Sequence, residues 1–107
     1  MSWIYLVAAG VLEIGWPLGL KLAQAAEAGN RISGFGLAIV AMAASGTLLF
    51  LAQREISLGT AYAVWTGIGA AGTFLVGVWF FDDAATLGRF SGAALIVAGV
   101  VTLKLAH

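Results

Sequence analysis

A single acidic residue in an otherwise apolar stretch is the first candidate for chemistry in this sequence. Glu13 lies ten residues beyond Trp3, in a run that holds no other charged side chain before Lys21. At about 1.5 Å per residue, it sits about halfway through a helix crossing a hydrocarbon core of roughly 30 Å. A carboxylate at that depth costs about 2.5 to 3.5 kcal/mol, so we expect it to bind a proton or a cation. The alternative is a protonated, hydrogen-bonded glutamate with a structural role.

Aromatic and hydroxyl side chains recur where they could line a site with Glu13. Trp16 follows Glu13 by one helical turn and shares its face. Tyr62 and Trp65 share a face of a later apolar segment, which favours a cation site, although Tyr62 is close enough to the segment end to anchor it at the membrane surface. Ser45 lies at a similar depth to Glu13. Its hydroxyl could simply bond the carbonyl one turn back, so its spacing alone indicates a structural role.

Pro17 changes the backbone beside this carboxylate. Proline has no N–H, so the carbonyl of Glu13, four residues earlier, loses its helical donor. We expect a kink there. A further hypothesis is that the freed carbonyl is an additional acceptor for a ligand with many hydrogen-bond donors.

Four apolar segments must position these residues. The 107-residue chain is 62% hydrophobic and 9% charged, with a mean hydropathy of +1.03, whereas a soluble surface needs roughly a quarter of its residues charged. A transmembrane helix needs about 20 mostly apolar residues. We therefore predict an all-α integral membrane protein with a single four-helix transmembrane domain over residues 1–107. The helices are expected at about 3–22, 32–53, 58–81 and 87–105.

The same composition argues against several classes of function. Five Lys and Arg balance five Asp and Glu, and no basic tract is present to bind nucleic acid. The chain has no cysteine and one histidine, so no metal site is expected. Neither a nucleophile beside a base nor a phosphate-binding loop is recognisable, and we predict no enzyme activity and no cofactor.

The basic residues indicate little preference for one orientation in the membrane. Arg54 and Lys104 fall on the side of the N-terminus, whereas Lys21, Arg31 and Arg89 fall on the other. This near balance is compatible with insertion in both orientations and therefore with an antiparallel dimer. A one-charge bias can also suffice for a single orientation, and the count leaves both alternatives open.

Two stretches of sequence resemble the small multidrug resistance transporters, and within them the guanidinium exporters. The resemblance runs over essentially the whole chain. It is carried by E-I-G-W-P-L-G-L-K from Glu13 and by G-T-A-Y-A-V-W-T-G-I-G-A from Gly59. It implies an antiparallel, dual-topology homodimer in the bacterial inner membrane that exchanges protons for guanidinium-class cations. Trp16 matches the guanidinium subtype, because exporters of quaternary ammonium compounds typically have a small residue there.

The resemblance also implies roles for individual residues. Glu13 matches the carboxylate that proton and substrate share. The residues matching positions that line this site are Trp16, Ser45, Tyr62 and Trp65. Gly92 and Gly99, seven residues apart on one helical face, match the glycine pair of the dimer-forming fourth helix; their spacing alone is only weak evidence of packing, because it is not GxxxG.

Two departures from the family pattern leave the substrate range open. Pro17 stands where a small helix former is expected, and the first loop is a few residues longer. A broader exporter of quaternary ammonium or hydrophobic cations is therefore an alternative function. A membrane subunit that does not itself transport is a third.

Overall fold

Four helices follow the four apolar segments in the computed structural model, which describes residues 1–25 and 31–106. They are α1 (Ser2–Ala25), α2 (Arg31–Ala52), α3 (Leu58–Phe80) and α4 (Leu87–Ala106). Each is long and apolar enough to cross a membrane, which confirms the predicted all-α membrane fold. Most of the first loop, and with it the expected lengthening, lies outside the described residues. The division into one domain stays a prediction.

Helix α1 is the centre of the arrangement. It packs against both α2 and α3, while α4 packs against α3 and α2 barely meets α3. The result is a flat molecule with extents of 46 × 34 × 16 Å. Because helix axes pack about 8 to 10 Å apart, a body this thin cannot surround a central site with helices on all sides.

Small residues bring α1 and α2 into backbone contact. A Cβ atom added to Gly19 would lie 2.6 Å from the amide nitrogen of Ala38 and 2.6 Å from the carbonyl oxygen of Gly34. Any side chain at Gly19 would therefore push the helices apart. Close approach of this kind is how membrane helices gain packing contacts without a hydrophobic driving force.

A small apolar cluster joins α1 to α3 on the N-terminal side of Glu13. Its fully or nearly fully buried members are Leu6, Ala52, Ile56, Ala61 and Val64. They come from α1, from the end of α2 and the residues that follow it, and from the first turns of α3. This cluster therefore sets the register between the two helices that carry most of the candidate site residues.

Helix α4 lies at the margin of the molecule. None of its residues, all of which the structure describes, is buried. Its contact with α3 includes an edge-to-face pair of Phe74 and Phe90, with ring centroids 5.2 Å apart. A Cβ atom added to Gly92 or Gly99 would meet nothing within 4 Å, so both glycines lie on a surface that this chain leaves open.

Candidate functional site

Glu13 lies in the seam between α1 and α3. Its stem rests on Gly69 of α3, where an added Cβ atom would lie 2.5 Å from Glu13 Cγ and 3.0 Å from Glu13 Cβ. The absence of a side chain at Gly69 is therefore what makes room for the glutamate. This role of Gly69 was not predicted from the sequence, in which the available signal was a glycine on the same face of α3 as Tyr62 and Trp65.

Trp16 holds the carboxylate from the α1 side. Its indole Nε1–H donates to Glu13 Oε1 at 2.7 Å, a distance typical of a charge-assisted hydrogen bond. The pair is three residues apart and shares one helix face, as the spacing predicts. Each carboxylate oxygen has two acceptor positions, so this bond leaves both oxygens able to accept from a ligand.

Ser45 links α2 to α1 and to α3. Its buried hydroxyl donates to the carbonyl of Ala9 at 2.6 Å and accepts the indole N–H of Trp65 at 2.7 Å. Ser45 therefore does not bond the carbonyl one turn back in its own helix, which was the alternative left open by its spacing. The partner is on another helix, which a sequence pattern within α2 could not indicate.

Tyr62 and Trp65 form an aromatic pair on α3. Their ring centroids are 5.5 Å apart with an angle of 51° between the planes. Tyr62 is 56% exposed, and its hydroxyl has no hydrogen-bond partner within the described residues. The pair can therefore present both a ring face and a hydroxyl to a ligand that approaches the exposed side of Tyr62.

The candidate residues fall into two groups one helical turn apart on α1. The first is Glu13 with Trp16, and the second is the Ser45, Tyr62 and Trp65 group that reaches Ala9, four residues before Glu13. No hydrogen bond joins the Glu13 carboxylate to the second group within the described part of the chain. Gly92 and Gly99 lie on α4 and belong to neither group.

No basic side chain neutralises this carboxylate among the residues that the structure describes. Three of the cations lie against aromatic rings near helix ends, namely Arg54 on Phe50, Arg89 on Phe74 and Lys104 on Trp3. Lys21 lines a separate cavity, and Arg31 is exposed at the first residue of α2. Within the described chain, no three His, Cys, Asp or Glu residues are placed to hold a metal ion. A partly buried carboxylate without a fixed countercharge is suited to a mobile cation or a proton.

The chain is similar along nearly its whole length to proteins of one family. The profile described as Small Multidrug Resistance protein matches residues 1–96. A guanidinium exporter of Yersinia pseudotuberculosis serotype I (strain IP32953) is 46% identical over 106 residues, covering 99% of each chain. A guanidinium exporter of Escherichia coli (strain K12) is 43% identical over 105 residues, covering 98% of this chain and 97% of the relative. One of Citrobacter freundii matches at the same identity and coverage.

Proposed function

The chain belongs to the Small Multidrug Resistance protein family, and we propose that it exports guanidinium-class cations in exchange for protons. It is a transporter and not an enzyme, and it is a multi-pass protein of the bacterial inner membrane. The names of the full-length relatives support guanidinium as the substrate class. The site proposed to bind both cation and proton is Glu13.

The observation that carries this proposal is the Glu13 carboxylate, held by an indole N–H and unpaired with any described cation. A carboxylate can bind a proton or a cation, but protonation removes the negative charge to which the cation binds. Binding of either therefore weakens binding of the other by the same factor, as thermodynamic linkage requires. If the site alternates between the two membrane faces, an inward proton gradient drives the cation outward.

The arrangement of hydrogen-bond partners favours guanidinium over a quaternary ammonium ion. Guanidinium can donate two parallel N–H bonds to a carboxylate, as arginine does, and Glu13 keeps acceptor capacity on both oxygens. The rings of Trp16, Tyr62 and Trp65 can stack on a planar cation. A quaternary ammonium ion has no N–H to donate, so it would gain from the rings but would leave every acceptor position of the carboxylate except the one bonded to Trp16 without a donor.

A broader drug exporter is the second candidate function, and one observation favours it. An apolar cleft of about 370 Å³ lies between α1 and α2, with Trp16, Phe35 and Met42 among its lining residues. Such a cleft could receive the apolar substituent of a larger cation. The two functions therefore differ in whether N–H donors are required, and permanently quaternary compounds distinguish them.

We further propose that two chains assemble as an antiparallel homodimer. The flat single chain, the unburied helix α4 and the open surface at Gly92 and Gly99 support this arrangement. The near balance of basic residues on the two sides supports insertion in both orientations. Two facing chains would enclose the site and bring two Glu13 carboxylates to it, whose proton affinities would then be coupled.

The test is transport by the purified protein in liposomes containing a pH-sensitive dye. Guanidinium or a tetraalkylammonium ion is added outside, and proton movement is followed with wild type, Glu13→Gln and Glu55→Gln. Glu55 is an exposed glutamate after α2, so its variant controls for the loss of one carboxylate. We expect guanidinium to drive proton release from the liposomes with wild type and Glu55→Gln, but not with Glu13→Gln.

Each other result has a definite meaning. A response to tetraalkylammonium alone would contradict the guanidinium assignment and favour the broader exporter. A guanidinium response that survives in Glu13→Gln would remove this carboxylate from the mechanism. If correctly folded wild-type protein moved neither cation, the antiporter proposal would be wrong and the non-transporting subunit would be the remaining alternative.

A further inference from the structure

A second cavity lies on the same seam as Glu13, near the C-terminal ends of α1 and α3. It has a volume of about 230 Å³ and is open to the surface on one side, and its lining includes Pro17, Lys21, Thr73, Gly77 and Asp83. We call it the Asp83 cavity. Since one water molecule occupies about 30 Å³ in the liquid, the cavity has room for a small planar cation together with water.

The turn after α3 folds the Asp83 carboxylate back towards the helix. The backbone N–H groups of Phe81 and Asp83 both donate to the Gly77 carbonyl, at 3.0 Å and 3.1 Å. Asp82 between them has a φ of 57°, in the left-handed region that reverses the chain. The Asp83 carboxyl group consequently lies over Gly77, where an added Cβ atom would be 3.1 Å from Asp83 Cγ.

The spacing of residues on α3 relates this carboxylate to Glu13. Gly69 contacts Glu13, and Gly77 contacts Asp83. The two glycines are eight residues apart, or about 12 Å along the helix at 1.5 Å per residue. Thr73 lies halfway between them on the same face and lines the cavity. The two carboxylates therefore lie along one seam, with a hydroxyl between them.

The hydroxyl of Thr73 is available to a ligand. Thr47, Thr66 and Thr102 each donate to the carbonyl one turn back in their own helices, at 2.8 Å. Thr73 makes no such bond and has no other hydrogen-bond partner among the described residues. A helical threonine that leaves its hydroxyl without this usual local partner can offer it to the cavity.

On the α1 side of the cavity, Pro17 changes the backbone hydrogen bonding of the helix. It lies inside the helix, and because it has no N–H the carbonyl of Glu13 lacks its usual helical donor. The Glu13 carbonyl is therefore left with an unused acceptor position one helical turn before Pro17, which itself lines the cavity.

The balance of groups around the cavity favours a cation over an anion. Its side-chain acceptors are the Asp83 carboxylate and the Thr73 hydroxyl. The opposing charge is Lys21, whose long, exposed side chain can extend to water. Lys21 and Asp83 line the same cavity without forming an ion pair within the described structure. The Asp83 carboxylate is therefore free to accept N–H groups from a ligand.

We propose that the Asp83 cavity is an outer cation site, which binds the same guanidinium-class cations on their way between the membrane surface and Glu13. The substrate class rests on the proposed function. Asp83 attracts the cation and accepts its N–H groups, Thr73 provides an intermediate acceptor, and Lys21 opposes binding. In an antiparallel dimer the cavities of the two chains would lie at opposite membrane faces, so each face would have one outer cation site.

Neutralising Asp83 tests this site, with its neighbour as the matched control. Asp83→Asn preserves the backbone bonds to Gly77, because the donors there are main-chain N–H groups. Asp82→Asn removes an equal charge one residue away, and asparagine tolerates the left-handed φ of that position. The measurement is the initial rate of proton movement in liposomes as guanidinium concentration is varied, at low and at high concentrations of an impermeant salt.

We expect Asp83→Asn to raise the KM for guanidinium by about threefold to tenfold with an unchanged maximal rate, which is at or just below the roughly tenfold lower limit of electrostatic steering effects. The salt dependence of KM should weaken in this variant, because a surface-accessible charge has been removed. Lys21→Gln should lower KM. Thr73→Val should raise KM, whereas Thr47→Val, which removes a hydroxyl already bonded within α2, should not.

The outcomes separate this proposal from the one on which it rests. If wild type transports guanidinium and Glu13→Gln does not, but Asp83→Asn matches Asp82→Asn in KM and salt dependence, then the outer cation site is wrong and the antiporter stands. A fall in maximal rate without a change in KM would assign Asp83 a structural role and would also overturn the site. If the wild-type protein does not transport guanidinium, both the antiporter proposal and the outer cation site are wrong.

Discussion

Adding a single methyl group at Gly69 should displace the Glu13 carboxylate. The new Cβ atom of Gly69→Ala would lie 2.5 Å from Glu13 Cγ and 3.0 Å from Glu13 Cβ, well inside the roughly 3.5 to 4.0 Å at which carbon atoms attract. Rotation of the side chain can move Cγ away. It cannot move Cβ, which is fixed to the backbone of α1, so the two helices must also separate by a few tenths of an ångström.

The magnitude follows from these two movements. Overpacking of a well-packed interface by a methyl group costs about 1 to 3 kcal/mol. Rotation of the Glu13 side chain would also weaken or break the 2.7 Å hydrogen bond from Trp16. A hydrogen bond to a charged group contributes about 1.5 to 3 kcal/mol. If about 1 to 3 kcal/mol is lost from cation binding, the affinity for guanidinium falls roughly 5-fold to 150-fold.

Two other glycine variants separate this effect from general damage to the helix layer. Gly72→Ala places its methyl group against the Ile14 side chain in the same seam, where the flexible end of the isoleucine can move away. Gly46→Ala meets nothing within 4 Å and should be neutral or slightly stabilising, because alanine is the better helix former. Guanidinium affinity is measured by calorimetric titration of the purified protein, and the unfolding temperature of each variant is measured in parallel.

We expect Gly69→Ala alone to lose most of its affinity while its unfolding temperature stays within the range of Gly72→Ala. The reasoning would be refuted if Gly69→Ala bound guanidinium as wild type does. It would also be refuted if Gly72→Ala lost as much affinity, since its methyl group does not contact Glu13.

The remaining predictions concern other contacts of the same structure. Ser45→Ala removes the acceptor of the Trp65 indole N–H, and an unpaired polar group of this kind costs about 1 to 3 kcal/mol. The unfolding temperature of the variant should therefore fall. An unchanged unfolding temperature would show that water or another group replaces the hydroxyl. Gly92→Leu places a large side chain on the open surface of α4 and should convert dimers to monomers in sedimentation experiments, whereas a variant that stays dimeric would place the interface elsewhere. Reporters fused to the C-terminus should be detected on both sides of the membrane, and detection on one side only would contradict dual insertion.

Sequence alone determined the membrane character of this protein and its four spans. The physical reason is the solvent: a bilayer leaves no water for backbone groups, so each apolar segment of about 20 residues must satisfy its own hydrogen bonds as a helix. Relations within one helix follow from its period, which is why the pairing of Glu13 with Trp16 could be read from their spacing. Neither conclusion depends on how one helix is placed against another.

Contacts between helices were decided only by the tertiary structure, because they depend on interhelical register and not on the period of one helix. From its spacing the Ser45 hydroxyl could have bonded within α2, but it reaches Ala9 on α1. Gly69 follows Tyr62 by seven residues and so shares its helical face, but that spacing does not reveal its contact with Glu13. The Asp83 carboxylate reaches the α1–α3 seam only because the left-handed turn at Asp82 folds the chain back onto α3. Hydropathy predicts none of these three contacts, because each depends on how one part of the backbone lies against another.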